Sequence, residues 1–231
     1  MIELKFIPSF PQEILATDEV GRGPLGGPVV VSAVKVIVWD KISLKEICNF
    51  LRPIGVTDSK KLTPDSRRQI LNKLGIHNLS FRTTGMIEVA GLELSYVTWD
   101  MDHNIIDSEN ILAASLRGMK EACLHLSEQK KIPTTVLIDG HKNLRWDSVS
   151  PWNEVPIIQG DSKSVLIGLA SMIAKEKRDI YMRDMHDLYP QYGFASHFGY
   201  PTKEHRQAIE QYGPCPIHRK TFKGVKEFLR M

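Results

Sequence analysis

The chain has only three cysteines in 231 residues, Cys48, Cys123 and Cys215, far apart and with no CxxC. That excludes a disulfide framework and the usual zinc-knuckle spacing, and it suits a reducing cytoplasm. No apolar run approaches the ~18 residues of a membrane helix. The opening MIELKFIPSFPQE has an early acid, two prolines and no apolar core, so no secretory leader is expected. Walker A, dinucleotide and Ser/His/Asp nucleophile motifs are missing, as are internal repeats and low-complexity tracts. Neither sign of charge dominates: 30 Lys and Arg stand against 27 Asp and Glu, a formal net charge of +3.

What remains is an ordinary globular composition, 42% hydrophobic and 25% charged. The length suits one large domain, or one with a modest appendage. The charge is unevenly spread. From Phe198 onward, Lys203, Arg206, Arg219, Lys220, Lys223, Lys226 and Arg230 stand against Glu204, Glu210 and Glu227. That is a local +4 within a total of +3, so the preceding 197 residues sum to −1. A basic tail on a near-neutral body suits a polyanion partner.

The stretch from Leu15 to Val38 organises the rest. Ile14, Leu15 and Ala16 lead into Asp18-Glu19, glycines and prolines break the chain, and Val29-Val30-Val31 opens a second β-branched run. An Asp-Glu pair at a strand end ordinarily faces water, because an unpaired buried charge loses its hydration. Neighbours on a strand point to opposite faces, so both acids serve one site only if the strand bends or ends at Glu19. The following Gly21-Arg22-Gly23 alters the reading, since glycines permit close backbone approach to a phosphate or sugar.

Further along, a short helix is expected over 44–51, and Thr63-Pro64 is a cap-and-first-turn signal for a helix continuing to Leu74. Asp58-Ser59-Lys60-Lys61 falls in the loop before it. A strand is expected over 77–86, a short helix over 87–94 and irregular chain over 95–104. Apolar spacing predicts a helix over 107–129, in whose buried stripe Cys123 lies. Strands over 134–138 and 155–159 end in Asp139-Gly140 and Gly160-Asp161. A long helix follows over 162–188, then an aromatic loop, YPQYGFASHFGY, a helix from Pro201 to Tyr212 and a last short helix.

Three strand ends thus carry Asp18-Glu19, Asp139 and Asp161. Convergent carboxylates repel unless a cation binds them, and hard oxygen ligands suit Mg²⁺ or Mn²⁺ rather than zinc. A two-metal site of that kind serves phosphodiester displacement. The eight histidines are scattered, with His197 and His218 beside the glycine-rich and basic segments.

The motifs DEVGRGPLGGPVV, DSKKLT, IDSENIL, LIDG, GDSKS with ASMIAKEKRD, and YGFASHFGYPTKEH with GPCPIHRKTF together resemble bacterial ribonuclease HII, over roughly residues 14–225. The resemblance implies an α/β, RNase H-like fold: a mixed five-stranded sheet flanked by helices over 1–188, and a C-terminal helical segment over 189–231 that covers the substrate. It implies Asp18, Glu19, Asp139 and Asp161 as catalytic, metal-binding carboxylates. The substrates would be RNA/DNA hybrids and ribonucleotide-containing duplex DNA, cut 5′ to the ribonucleotide to leave 3′-hydroxyl and 5′-phosphate ends. Gly21, Arg22 and Gly23 would recognise the ribose 2′-hydroxyl, Tyr200 would stack on the next sugar, and Lys60 would contact the backbone. A cytoplasmic monomer is expected.

Some positions depart from the family's pattern. Gly168-Leu169 stands where two small alanines are expected, Glu176 where an apolar residue is, and 93–104 reads as an insertion. Rival readings are another RNase H-like nuclease, such as a junction resolvase, or ribonuclease HIII, which would carry an extra N-terminal domain. A non-catalytic nucleic-acid-binding module is the third, and it gains nothing from acids at its groove.

Overall fold

The computed structural model describes residues 2–128, 132–144 and 150–229. Six strands form one mixed sheet: β1 (Gln12–Val20), β2 (Val29–Val38), β3 (Gly85–Val89), β4 (Leu92–Met101), β5 (Thr134–Asp139) and β6 (Asn153–Ile157), in the order β3-β4-β2-β1-β5-β6. The expected count was five. β1 pairs antiparallel with β2 and parallel with β5, and β6 extends the parallel side. Both central strands are buried on both faces, which explains their near-continuous apolar runs.

The helices are α1 (Glu3–Phe6), α2 (Lys41–Ile54), α3 (Pro64–Lys73), α4 (His103–Glu109), α5 (Ile111–Leu126), α6 (Gly160–Lys163), α7 (Val165–Leu188), α8 (Phe194–His197) and α9 (Lys203–Tyr212). Alternation along β1 sorts the core in two. Ile14 and Ala16 join a cluster with α2, α3 and α7, while Leu15 faces α5. α3 starts where Thr63-Pro64 dictates, with the Thr63 hydroxyl accepting from Ser66 N–H at 3.1 Å.

Several expected elements differ. The helix foreseen over 44–51 runs from Lys41 to Ile54, because the Asp40 carboxylate caps it earlier, at Ser43 N–H. Residues 77–84 are not a strand. The segment read as a helix over 87–94 is the β3–β4 hairpin, turning at Ala90 (φ 53°) and Gly91 (φ 75°), both left-handed as a tight hairpin demands. Most of 95–104, expected to be irregular, and of 93–104, read as an insertion, is β4, bonded to β2 from Val36↔Leu94 to Val29↔Met101. It is integral to the sheet.

The helix foreseen over 107–129 is two, broken at Asn110 (φ 72°), whose side chain caps α5 by accepting from Leu112 and Ala113 N–H. Its expected end at Gln129 lies outside the described residues. The helix over 162–188 breaks at Ser164 into α6 and α7. The last short helix is turns and one 3₁₀ turn, Lys226–Phe228.

Beyond α7 the chain packs as a third cluster, with Phe194, Ile209, Ile217 and Val225 against Met182 of α7 and Leu25 of the glycine loop. The C-terminal segment is therefore joined to both the long helix and the loop after β1. Among the described residues no helix is long and apolar enough to cross a membrane.

Candidate active site

Parallel pairing sets Thr17 beside Ile138, so the next residues, Asp18 and Asp139, end two adjacent strands together. β1 does not stop at Glu19; it continues to Val20 and turns at Gly21 (φ 101°). The two acids therefore keep opposite faces. Asp18 lies on the α7 side, where the nearby Ser171 hydroxyl favours its charged form, and Glu19 also borders a recess lined by Leu112, Ser115 and Met119 of α5. They share a site because it wraps the open end of the strand. One cavity of about 340 Å³ is lined by Asp18, Glu19, Asp139, Gly21, Arg22, Gly23, Ser59, Lys60, Lys175 and Tyr200.

Asp161 sits on α6 rather than at a strand end, because Gln159 (φ 56°) turns the chain there. It is tied to the cluster on two sides. Its N–H donates to Asp139 Oδ1 at 3.3 Å, beside Gly160 N–H at 2.7 Å, and its Oδ2 accepts from Lys60 Nζ at 3.2 Å. The structure thus brings the four carboxylates together. Lys60, expected on the substrate backbone, lies against Asp161 with its ammonium largely exposed.

Burial raises the Asp18 carboxyl well above the usual range, helped by the charges of Glu19 and Asp139. Burial likewise lifts Glu19 to about 7, with Arg22 pulling the other way. Asp161 is also raised, chiefly by burial, against the opposing Lys60. Glu19 Oε1 accepts from Arg22 Nη1 at 3.3 Å, whereas Oε2 is buried with no partner. Among the described residues no three acidic, histidine or cysteine side chains already close a ligand set. Hard, oxygen-rich donors at the mouth of a cavity, one carboxylate oxygen unsatisfied, fit Mg²⁺ or Mn²⁺, which keep waters and take only a few carboxylates. A separate recess of about 260 Å³ between α3 and α7, lined by Arg68, His77 and Glu176, holds no such cluster.

The whole-chain comparisons agree with this geometry. The ribonuclease HII family model matches residues 15–225. The ribonuclease HII of Francisella tularensis subsp. mediasiatica is 38% identical over 216 residues, 94% of this chain and 98% of that protein. The chain belongs to the ribonuclease HII family. It is accordingly an endoribonuclease acting on RNA/DNA hybrids, of a family that depends on divalent metal. Two solved structures share the fold. Ribonuclease H2 from Pyrococcus horikoshii OT3 superposes at TM-score 0.62 and 22% identity, covering 94% of this chain and 96% of that one. Bst-RNase HIII in complex with Mn²⁺ does so at 0.61 and 15%, covering 94% and 69%.

Tyr200 is partly exposed, and its ring lies against Gly23: a Cβ placed there would sit 3.6 Å from Tyr200 Cε1. Gly21 lines the cavity and also has a packing task. A Cβ on it would come within 3 Å of the buried Arg178 side chain, so this glycine leaves room for an arginine behind the loop.

Sequence reasoning missed several supports. Arg178 and Arg219 are fully buried beneath the glycine loop, although Arg219 reads as part of the basic tail. Lys175 lines the cavity, pairs with Asp179 and lies over the Phe198 ring at 4.7 Å. Glu176, the departure from the apolar norm, is compensated by Arg67 Nε at 3.0 Å and Arg68 Nε at 3.3 Å from α3. His197 and His218 are buried braces of the segment around Tyr200.

Proposed function

We propose that this enzyme incises duplex DNA 5′ to an embedded ribonucleotide, besides cutting the RNA strand of hybrids, with Asp18, Glu19, Asp139 and Asp161 as its metal-binding catalytic carboxylates. The observation that carries the reading is that one cavity joins the acids of two adjacent strand ends to the Gly21-Arg22-Gly23 loop and Tyr200. Acids alone would make a nuclease. A glycine loop and an exposed aromatic ring beside them add a place for a sugar and a surface on which its neighbour stacks.

Two divalent cations bound by these carboxylates would supply charge stabilisation to the attacking and leaving oxygens of an in-line displacement. The chain's own groups set the conditions. Asp139 Oδ1 is held by the Gly160 and Asp161 amides, which fixes that carboxylate's orientation and leaves its other oxygen for a ligand. Glu19 Oε2 is buried and has no hydrogen-bond partner among the described residues. Lys60 screens Asp161 and is exposed enough to swing onto a phosphate. Water adds to phosphorus, the 3′ oxygen departs and takes up a proton, and the products carry 5′-phosphate and 3′-hydroxyl ends.

Tyr200 stacked on the sugar after the ribose favours a deoxyribose there, which marks an RNA–DNA junction. The segment 189–231 covers this side of the duplex, and its exposed lysines face the phosphates. The Mn²⁺ of the ribonuclease HIII complex supports Mn²⁺ alongside Mg²⁺. We take the enzyme to act as a cytoplasmic monomer. The test is cleavage of a one-ribonucleotide duplex with Tyr200→Ala beside a continuous hybrid. The variant should lose far more on the first substrate, and equal loss on both would remove Tyr200 from junction recognition.

A further inference from the structure

Arg178 and Arg219 are among the largest fully buried side chains of the molecule, and among the described residues neither has a carboxylate at ion-pair distance. A buried, unpaired guanidinium is costly unless its donors are satisfied. Here backbone carbonyls satisfy them, and nearly all belong to one loop. Arg219 donates from Nη2 to Gly21 O (2.6 Å), from Nη1 to Arg22 O (3.1 Å) and Pro24 O (2.8 Å), and from Nε to Gly27 O (3.0 Å). Arg178 donates from Nη2 to Gly26 O (3.1 Å), from Nε to Pro28 O (3.1 Å) and from Nη1 to Phe198 O (2.9 Å). The last bond ties the glycine loop to the segment that carries Tyr200.

The direction of these bonds has a geometrical consequence. In a planar trans peptide the C=O of one residue and the N–H of the next point opposite ways. Carbonyls of Gly21 and Arg22 turned toward Arg219 therefore turn the N–H groups of Arg22 and Gly23 away from it. Neither of those amides has a hydrogen-bond partner among the described residues. Both residues line the cavity that holds the carboxylates. A glycine loop left to itself samples many conformations, and fixing it costs backbone entropy each time a ligand binds. Two rigid forks that grip seven carbonyls meet that cost once, during folding.

We propose that Arg219 and Arg178 are positioning residues for ribose discrimination: by holding the loop's carbonyls inward they present the Arg22 and Gly23 amides as a preformed donor pair for the 2′-hydroxyl oxygen. This rests on the reading that the Gly-Arg-Gly loop takes the ribose. Lysine cannot replace either arginine, since an ammonium has no planar fork to span several carbonyls.

The experiment measures affinity in an Asp139→Asn background with Mg²⁺, so that the duplex stays uncut. The probes are a duplex with one ribonucleotide and the same duplex all-deoxy; their affinity ratio is the readout. Arg219→Lys and Arg178→Lys should each bring the ratio down by about tenfold, roughly one hydrogen bond's worth, with all-deoxy affinity little changed. Arg67→Lys is the control. Arg67 is as buried, but it faces Glu176 and Asp179, so it should lower thermal stability and leave the ratio alone.

Gly23→Ala puts a methyl group into the cavity and tests the underlying reading. If it collapses the ratio while both arginine variants keep it, the positioning role is overturned and the loop's ribose role stands. If Gly23→Ala keeps the ratio, the ribose role itself is overturned. Equal loss on both duplexes would mean that the amides hold a phosphate, and overturns the proposal as well. Should the lysine variants fail to fold, ¹⁵N shifts of Arg22 and Gly23 with the native arginines in place decide it. Both amides should move on binding the ribonucleotide duplex and not the all-deoxy one; no selective movement refutes the donor pair.

Discussion

The imidazoles of His205 and His218 meet Nε2 to Nε2 at 3.0 Å, and their other nitrogens decide which ring donates. His205 Nδ1 faces the Tyr200 carbonyl at 2.9 Å and must donate to it, which leaves its Nε2 as an acceptor. His218 Nε2 therefore donates, and His218 Nδ1 accepts from Cys215 N–H at 2.9 Å. The relay Cys215–His218–His205–Tyr200 is complete only when both rings are neutral. It fixes the backbone of the residue that faces Gly23.

Acid should therefore loosen the C-terminal segment. Burial holds both imidazoles down at about 4, against an unfolded value of about 6.5. A depressed folded pKa means that the unfolded chain takes up the protons first. The stabilisation is whole above about pH 6.5 and is lost as pH falls from there toward about 4, on the order of 3 kcal/mol for each ring. Melting temperature between pH 8 and 4 should drop through that window in the native protein and less steeply in His218→Ala. Parallel curves would separate the relay from the pH dependence.

Asp18→Asn and Asp139→Asn should lose activity by about a hundredfold or more, beyond what outer residues of a metal site cost. Asp18→Asn should melt at the same or a higher temperature at pH 8. The raised Asp18 value means that its charge opposes folding above the unfolded carboxylate range, and the amide removes that charge while its oxygen still accepts from Glu19 N–H. Near-native turnover in either variant would remove that residue from the site.

Gly168→Ala should reverse the usual rule for helices. Alanine in place of a helical glycine ordinarily gains about 1 kcal/mol. At this position a Cβ would lie 2.9 Å from Asp161 O and 3.3 Å from the Thr57 carbonyl carbon, both backbone. The helix must move away from α6 and from the loop that carries Lys60, so about 1–3 kcal/mol should be lost and activity with it. A stabilised, fully active variant would show that α7 has room to spare.

Lys220 and Lys223 are exposed on the C-terminal segment, which Asp107 ties to α4 by accepting from the Lys220 and Thr221 N–H groups. Neutralising both lysines should weaken duplex binding alike for all sequences and lower the salt slope by up to about 2. An unchanged slope across a salt series would turn them away from the nucleic acid.

Local chemistry wrote much of this plainly into the sequence. Thr63-Pro64 opens α3, the β-branched run at Val29–Val31 opens β2, and apolar spacing marks α5 and α7. The four acids stood out because each precedes or follows a glycine-bearing chain break. The hairpin at 85–101 was also legible in principle, since Met86 and Glu88 are exposed where Ile87 and Val89 are buried. The small residues around its turn obscured that alternation.

Arg178 and Arg219 were not legible. A basic residue on a helix or in a tail reads as solvated, and it is chiefly carbonyls brought from 150–198 residues away along the chain, with Phe198 O 20 residues from Arg178, that make burial tolerable. Glu176 shows the same limit, for its partners on α3 are 108 and 109 residues distant.

Where one duplex is cut tests the assigned activity most directly. A labelled DNA duplex with a single ribonucleotide, incubated with the enzyme and Mg²⁺ and resolved against a sequencing ladder, reports both position and end chemistry. One nick on the 5′ side of the ribonucleotide, with 3′-hydroxyl and 5′-phosphate ends, absent with EDTA and on the all-deoxy duplex, is the predicted result. Cutting of the all-deoxy duplex, cutting on the 3′ side, or full activity in EDTA would contradict it.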